Sequence, residues 1–311
     1  MSDQLLQIDK KIKISKKEIL KDYYLINESR QLSLLGRKEV FMGRAKFGVF
    51  GDGKELPQIA MSKVFENGDI RSGYYRDQTF MMAIDQLTPN QFFSQLYSHT
   101  DVTKDPHSAG RQMNCHFATR MLNDSGEWKT LTDIKNSTSD ISCVAGQMPR
   151  LIGLAYASKL YRNNSSLSNK QNFSINGNEV AFGTIGDAGT SEGHFWEAMN
   201  AAGVLQIPLV MSIWDDGYGI SVPSEYHTTR NDLSKVLSGF QRSNKNEKGF
   251  ELFQVNGWDY VDLIKTYRKA ILYARNEHVP CIIHVKDVTQ PQGHTTSGSH
   301  ERYKSKERLK W

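Results

Sequence analysis

The sequence predicts an α/β protein: a parallel sheet with helices on both faces, preceded by a helical N-terminal extension. Three observations carry this reading. Four short apolar runs alternate with helical stretches through the second half of the chain, the pattern of strand–helix–strand crossovers in a sheet covered on both sides. The first two of these runs lead directly into turns of small and acidic residues. The opening segment has apolar residues at helical spacing and no strand-like run.

The elements follow in order. Ser15-Lys16-Lys17-Glu18 has the form of a helix-opening capping box. Ile19, Tyr23, Ile26, Leu34 and Leu35 continue a helical period beyond it. Four glycines between Gly43 and Gly53 break that period. Gly51-Asp52-Gly53 within this stretch follows no buried strand, so it reads as a turn between helices. Residues 54–66 and 88–99 read as further helices, whereas 101–140 are rich in Gly, His, Asn, Ser and Asp without a period. An aperiodic stretch of that length is often functional. Residues 148–160 form an apolar helix with small residues for close packing, and 163–178 a polar loop. The buried strands are 179–185, 207–214, 250–255 and 280–285. Helices at 191–205 and 260–276 and a polar loop at 238–248 separate them. We divide the chain into a helical extension, 1–70, and an α/β domain, 71–311.

A chain of 311 residues suffices for one large α/β domain with an extension. With 38% hydrophobic and 23% charged residues it belongs with folded globular chains, not disordered ones. The formal charge of +5 is spread along the chain without a basic, aromatic-interleaved cluster, so nucleic-acid binding is not expected. The three cysteines, Cys115, Cys143 and Cys281, show no CxxC spacing. A disulfide framework is therefore not expected, and a reducing cytoplasm is. The first thirty residues hold no apolar core segment, and nowhere do eighteen apolar residues run together. Neither a signal peptide nor a membrane span is predicted.

Ligands of open parallel sheets bind beyond the carboxyl ends of the strands. The first predicted strand runs into Gly186-Asp187-Ala188-Gly189, and the second into Asp215-Asp216-Gly217-Tyr218-Gly219. Two consecutive strands thus deliver three carboxylates to one edge. Small residues beside Asp187 let backbone amides approach an anion at a helix start. Carboxylates together with a diphosphate are the usual oxygen donors for octahedral Mg²⁺. Either turn alone would read as an ordinary Gly-Asp turn or a capping aspartate; both at this spacing favour a metal and anion site.

This arrangement resembles the thiamine diphosphate motif, which opens with Gly-Asp-Gly and closes with Asn-Asn after a helix and a strand. The chain departs from it at Ala188, where glycine is usual, and at Asp215-Asp216, which stand for the two asparagines. Alanine is nearly as small. Aspartate binds Mg²⁺ better than asparagine does, at the expense of opposing the diphosphate slightly. The resemblance makes Asp187 and Asp216 side-chain metal ligands and Tyr218 a ligand through its carbonyl, with Ala188 and Gly189 lining the cofactor.

Other segments resemble, in family order, the alpha portion of the first component of 2-oxo acid dehydrogenase complexes. Ser72-Gly73-Tyr74-Tyr75-Arg76-Asp77 resembles a segment whose Tyr and Arg contact the diphosphate, which implies Tyr75 and Arg76 here; an Arg fork matches phosphate oxygens. Residues 110–117 (GRQMNCHF) resemble the branched-chain enzymes specifically, with His116 a positioning residue behind the site. Residues 141–149 (ISCVAGQMP) resemble a cofactor-lining segment, which places Ser142 and Val144 against the cofactor. That segment holds a potassium ion in branched-chain enzymes, but Ile141 and Gly146 here replace hydroxyl residues. Gln292-Gly293-His294-Thr295-Thr296-Ser297 resembles the histidine loop at the diphosphate and reacting centre, making His294 the catalytic candidate.

The resemblance, from about Ser29 to Tyr303, implies the thiamine diphosphate-binding fold, with thiamine diphosphate and Mg²⁺ as cofactors. It implies oxidative decarboxylation of a branched-chain 2-oxo acid, with the acyl group passed to a lipoyl-bearing acyltransferase component. It also implies a beta half, as a separate chain or fused behind this one, without which this chain is expected to be inactive or nearly so. Alternatives are a pyruvate or acetoin dehydrogenase alpha chain, and a non-catalytic cofactor-binding subunit. A generic nucleotide-binding protein is disfavoured by the lack of a P-loop and of GxGxxG after a strand.

Overall fold

A computed structural model describes residues 14–167, 170–298 and 300–310. In chain order the elements are α1 (Lys16–Phe41), α2 (Glu55–Ser62), β1 (Ile70–Ser72), α3 (Gln78–Ala83), α4 (Pro89–Leu96), β2 (Asn136–Ser137), α5 (Gln147–Asn163) and β3 (Ala181–Gly186). They continue as α6 (Gly193–Leu205), β4 (Leu209–Trp214), β5 (Tyr218–Gly219), β6 (Val222–Pro223), α7 (Leu233–Leu237), β7 (Glu251–Asn256), α8 (Tyr260–Leu272), β8 (Cys281–Lys286) and α9 (Lys306–Lys310). Six strands form one sheet in the order β2-β1-β3-β4-β8-β7, and every pairing is parallel. β5 and β6 make a small separate hairpin.

The four predicted strands are β3, β4, β7 and β8. β3, β4 and β8 were legible because strands buried on both faces read as nearly continuous apolar runs; β7, a partly exposed edge strand, mixes Leu252, Phe253 and Val255 with Glu251 and Gln254. Alternation along β4 shows which face each side chain serves. Leu209, Met211 and Ile213 join one buried cluster, with Met148, Leu151 and Ala155 of α5 and Phe195, Met199 and Ala202 of α6. Val210 and Trp214 join the other, with Met61 of α2, Phe80 of α3 and Leu263, Ile264 and Tyr267 of α8. Helices therefore cover both faces. Their approach is close: a Cβ at Gly183 of β3 would lie 2.3 Å from Leu151 Cδ2. Leu32 of α1 belongs to the same core as α2 and α8. Among the described residues no helix is long and apolar enough to cross a membrane.

Two features differ from the sequence reading. The strands β1 and β2 at one end of the sheet, three and two residues long, are too short to show a period. The opening capping box is half formed: Ser15 Oγ accepts from the Glu18 amide at 3.2 Å, but the Glu18 carboxylate reaches across to Lys63 Nζ at 2.7 Å. The complete box lies at Thr88, whose hydroxyl and amide both pair with Gln91 ahead of Pro89.

Candidate functional site

The site grows from the register of β3 on β4. Gly186 is aligned with Trp214, and the Asp187 amide donates to the Trp214 carbonyl at 3.3 Å, so the two acidic turns leave the same sheet edge side by side. Asp215 and Asp216 each fold back on the turn that follows. Asp215 Oδ1 accepts from the Gly217 amide at 2.9 Å and Asp216 Oδ1 from the Tyr218 amide at 3.1 Å. Gly217 has φ +77°, a conformation that favours glycine. Ala188, the larger residue in the first turn, is accommodated by glycine opposite it: a Cβ at Gly219 would lie 2.7 Å from Ala188 Cβ.

Beyond these turns opens a cavity of about 320 Å³. Every cofactor-lining residue named from the sequence borders it: Tyr75, Arg76, Ser142, Val144, Asp187, Ala188, Gly189, Asp216, Tyr218 and His294. The structure brings them together from segments lying between residues 75 and 294 of the chain. His116 does not border the cavity but stands behind its wall, with Nε2 2.9 Å from Ser142 Oγ and its ring stacked on that of Tyr75.

Asp187 is 3% exposed, and its Oδ2 has no hydrogen-bond partner in the protein. Burial, then the charges of Asp216 and Asp215, push its carboxyl well above the usual carboxylate range. Burial acts on Asp216 in the same sense, but the charge and hydrogen bond of Lys54 outweigh it and hold that carboxyl below its ordinary value. Of the two neighbours, Asp216 therefore ionises first. An orphaned buried carboxylate oxygen beside a second carboxylate is an incomplete polar site that a cation would complete. Among the described residues no group of three or more His, Cys, Asp or Glu side chains is arranged to hold a metal. A bound ion would then need backbone and ligand oxygens as well, which suits a hard cation carried in with a diphosphate.

Arg76 is buried and lies over the Tyr75 ring, 5.2 Å from its centroid. Nη1 donates to the Phe50 carbonyl at 2.7 Å and Nη2 to the His294 carbonyl at 3.1 Å. The guanidinium therefore also holds the histidine loop in place. His294 Nε2 is 3.3 Å from the Tyr75 hydroxyl, and its Nδ1 is buried without a partner. Burial and the nearby Arg76 charge lower His294 from 6.5 to about 3, so the ring is neutral at pH 7. The segment bearing Tyr75 and Arg76 rests on a buried cluster. Arg71 donates to Asp77 Oδ2 at 2.7 Å, Asp140 Oδ2 at 3.0 Å, Ser137 Oγ at 2.8 Å and the Tyr74 carbonyl at 2.9 Å.

Sequence reasoning missed three groups. Lys54 borders the cavity and pairs with Asp216 Oδ2 at 2.7 Å. Tyr74 also borders it, and its hydroxyl is buried without a partner. His227 Nε2 lies 3.8 Å from Asp187 Oδ2 and is likewise unpartnered. The signal that could have found Lys54 is the pair of extra acids at 215 and 216, since a buried acid calls for a counter-ion somewhere in the chain.

The family model described as Dehydrogenase E1 component matches residues 30–311. The 2-oxoisovalerate dehydrogenase subunit alpha 2, mitochondrial, of Arabidopsis thaliana is 25% identical over 270 residues, covering 86% of this chain and 48% of that protein. The 2-oxoisovalerate dehydrogenase subunit alpha of Bacillus subtilis (strain 168) is 24% identical over 243 residues, 78% of this chain and 62% of that one. The pyruvate dehydrogenase E1 component subunit alpha of Rickettsia bellii (strain RML369-C) is 29% identical over 167 residues, 53% and 44% of the two chains. Among solved structures, transketolase from Campylobacter jejuni subsp. jejuni NCTC 11168 superposes with a TM-score of 0.52 at 18% identity, over 90% of this chain and 40% of that one; this likeness concerns the fold alone. The chain spans about half the length of the first of these relatives.

Proposed function

This chain belongs to the dehydrogenase E1 component family, and on that premise we propose that it is the cofactor-diphosphate-binding alpha portion of a thiamine-diphosphate- and Mg²⁺-dependent 2-oxo acid dehydrogenase. The observation that carries the reading is the buried, unpartnered Asp187 Oδ2 beside Asp216, at the carboxyl ends of adjacent parallel strands. In this reading Asp187, Asp216 and the Tyr218 carbonyl hold Mg²⁺, which supplies positive charge between the carboxylates and a diphosphate. The chemistry supplied by bound thiamine diphosphate is uptake of the electron pair released as carbon dioxide leaves a 2-oxo acid.

The chain's own residues bind and orient. Ser142, Val144, Ala188 and Gly189 line the cavity, and Arg76 brings a fixed positive charge to its wall. His294 is the catalytic candidate. Nε2 is 3.3 Å from the Tyr75 hydroxyl; in the tautomer where it accepts from that hydroxyl, the proton sits on Nδ1, from which a neutral ring can donate to a developing oxyanion or a phosphate oxygen. Trp214 and Ile185 add apolar surface to the cavity wall.

We read the substrate as a branched-chain 2-oxo acid of the 3-methyl-2-oxobutanoate type, with a lipoyl-bearing acyltransferase component receiving the acyl group. The names of the A. thaliana and B. subtilis relatives support this. The R. bellii match keeps pyruvate as a second substrate to be tried. A beta half, separate or fused, completes the active site in this reading, and the setting is cytoplasmic. The test is calorimetric titration with thiamine diphosphate and Mg²⁺, with a beta half present, for wild type and Asp187→Ala. Mg²⁺-dependent binding that the substitution abolishes supports the site. Binding that survives Asp187→Ala unchanged would sink it. Substrate competition between pyruvate and 3-methyl-2-oxobutanoate decides the side chain.

A further inference from the structure

Asp215 and Asp216 each carry a negative charge where the thiamine diphosphate motif has a neutral amide. The structure gives each a dedicated partner. His284 Nε2 lies 2.7 Å from Asp215 Oδ2, with its Nδ1 held by Ser234 Oγ at 2.6 Å. Lys54 Nζ donates to Asp216 Oδ2 at 2.7 Å. Its two other protons go to the Thr289 carbonyl at 2.8 Å and Gln290 Oε1 at 3.0 Å. The ammonium is thus fully coordinated in a residue that is 1% exposed. Asp187 Oδ2 accepts no hydrogen bond in the protein, and the nearest basic group, His227 Nε2, stands 3.8 Å away.

Lys54 cannot retreat from this position. It follows Gly51-Asp52-Gly53, and Gly53 has φ +92° with its missing Cβ 2.2 Å from the Thr289 carbonyl oxygen. A Cβ at Gly51 would lie 2.5 Å from the Arg76 carbonyl oxygen. The turn is therefore pressed against the backbone at both Thr289 and Arg76. Lys54 and Asp216 are 162 residues apart in sequence, yet both border it.

We propose that Lys54 is a positioning residue for this site and that Lys54 and Asp216 together do the work of a single amide. Lys54 fixes one carboxylate oxygen and cancels its charge, and the other oxygen serves as a neutral donor's would. The proposal rests on the cofactor reading above. A purely structural ion pair would be weak grounds for retention, because burying two charges costs about as much as their attraction returns. Here the charge balance matters to what enters. Asp187 and Asp216 face Lys54 and Arg76 around the cavity. Without Lys54, an uncancelled carboxylate stands where a diphosphate must sit. Without the charge of Asp216, a buried ammonium is left unpaired.

The test uses the full-length protein with its beta half and compares Lys54→Met, Asp216→Asn and the double variant. Melting temperature is read without ligand, Mg²⁺ is titrated alone, and thiamine diphosphate is titrated at fixed Mg²⁺. We expect each single change to lower the melting temperature and to weaken thiamine diphosphate binding on the order of tenfold, as for a close charge pair. The double variant should recover both, to within about threefold in affinity. Lys54→Met should bind Mg²⁺ alone no more weakly than wild type while binding the diphosphate more weakly, a split that a merely structural pair would not produce. If Lys54→Met does not fold, folding of the double variant is the rescue the pair requires; a double that also fails to fold overturns the proposal. Losses that simply add in the double variant also overturn it. Wild type that binds no thiamine diphosphate would remove the cofactor reading instead. The melts would then decide the pair, recovery in the double supporting it and additive loss refuting it.

Discussion

Replacing Arg71 by methionine tests the base on which the Tyr75–Arg76 segment stands. Arg71 is fully buried and sits between two carboxylates, Asp77 and Asp140, which are themselves buried. The substitution keeps much of the side-chain volume and removes the charge. Asp77 retains donors from the Tyr74 amide at 3.3 Å and Trp214 Nε1 at 3.4 Å, so its loss is partly buffered. Asp140 keeps the Phe117 amide on Oδ2 at 2.9 Å, and its Oδ1 has no partner even in the wild type. Removing one partner of a buried ion pair costs about 3–5 kcal/mol. The Ser137 and Tyr74 hydrogen bonds are lost as well, but protonation of one acid offsets part of the cost. The expected loss is about 4 kcal/mol, read from urea unfolding curves by linear extrapolation. At about 2–4 °C per kcal/mol for a chain of this size class, the melting temperature should fall by roughly 8–16 °C. Asp140→Asn added to Arg71→Met should recover part of the loss. An Arg71→Met protein within about 1 kcal/mol of wild type would refute the assignment of Arg71 as the counter-ion of this cluster.

Three further outcomes are expected. Gly53→Ala should destabilise by about 2 kcal/mol or more, because a left-handed backbone and a 2.2 Å approach to the Thr289 carbonyl oxygen must both give way; an unchanged unfolding midpoint counts against it. His294 is lowered from 6.5 to about 3, chiefly by burial and then by Arg76. Between those values the unfolded chain binds a proton that the folded chain does not, so this contribution is complete above about pH 6.5 and is lost as pH falls toward 3. His294→Gln should therefore flatten the acid limb of stability against pH, leaving the part due to His278, which is lowered to about 4; an unaltered limb contradicts the burial argument. Of the free cysteines only Cys143 is exposed, and it borders the cavity. Ellman's reagent should titrate it in the native protein while Cys115 and Cys281 stay silent until unfolding, and a labelled Cys143 should hinder thiamine diphosphate binding.

Legibility in the sequence followed the range of the interaction that fixes each feature. β3, β4 and β8 are nearly continuous apolar runs because helices cover both faces of the sheet, and a run of that kind is visible locally; β7, at the sheet edge and only partly buried, shows instead as alternating apolar and polar residues over 253–256. β1 and β2 are held mainly by pairing across long stretches of chain, Ile70 with Asn136 and Ala181, and leave no local trace. Asp187 and Asp216 were legible because two strand ends carry them at a fixed spacing. Lys54 was not, since a lysine after a glycine turn reads as a solvated residue and only the fold brings it to Asp216. The Gly51-Asp52-Gly53 segment is the turn between helices that the sequence predicts. Its role in seating Lys54 depends on contacts with Thr289 and Arg76 that the sequence does not display.

The cavity wall is drawn from segments between Lys54 and His294, and its charged groups Lys54, Arg76, Asp187, Glu192 and Asp216 come from four separate stretches of chain. Such a pocket exists only once the chain has closed on itself, so whatever fills it binds the folded form and ignores the unfolded one. By mass action, an occupant at a hundred times its dissociation constant adds about 2.7 kcal/mol to the folded state, most of what the Arg71 substitution removes. Supply of the small molecule then becomes a folding variable. A variant weakened at a remote position can survive in a cell that provides the ligand abundantly and be degraded in one that does not.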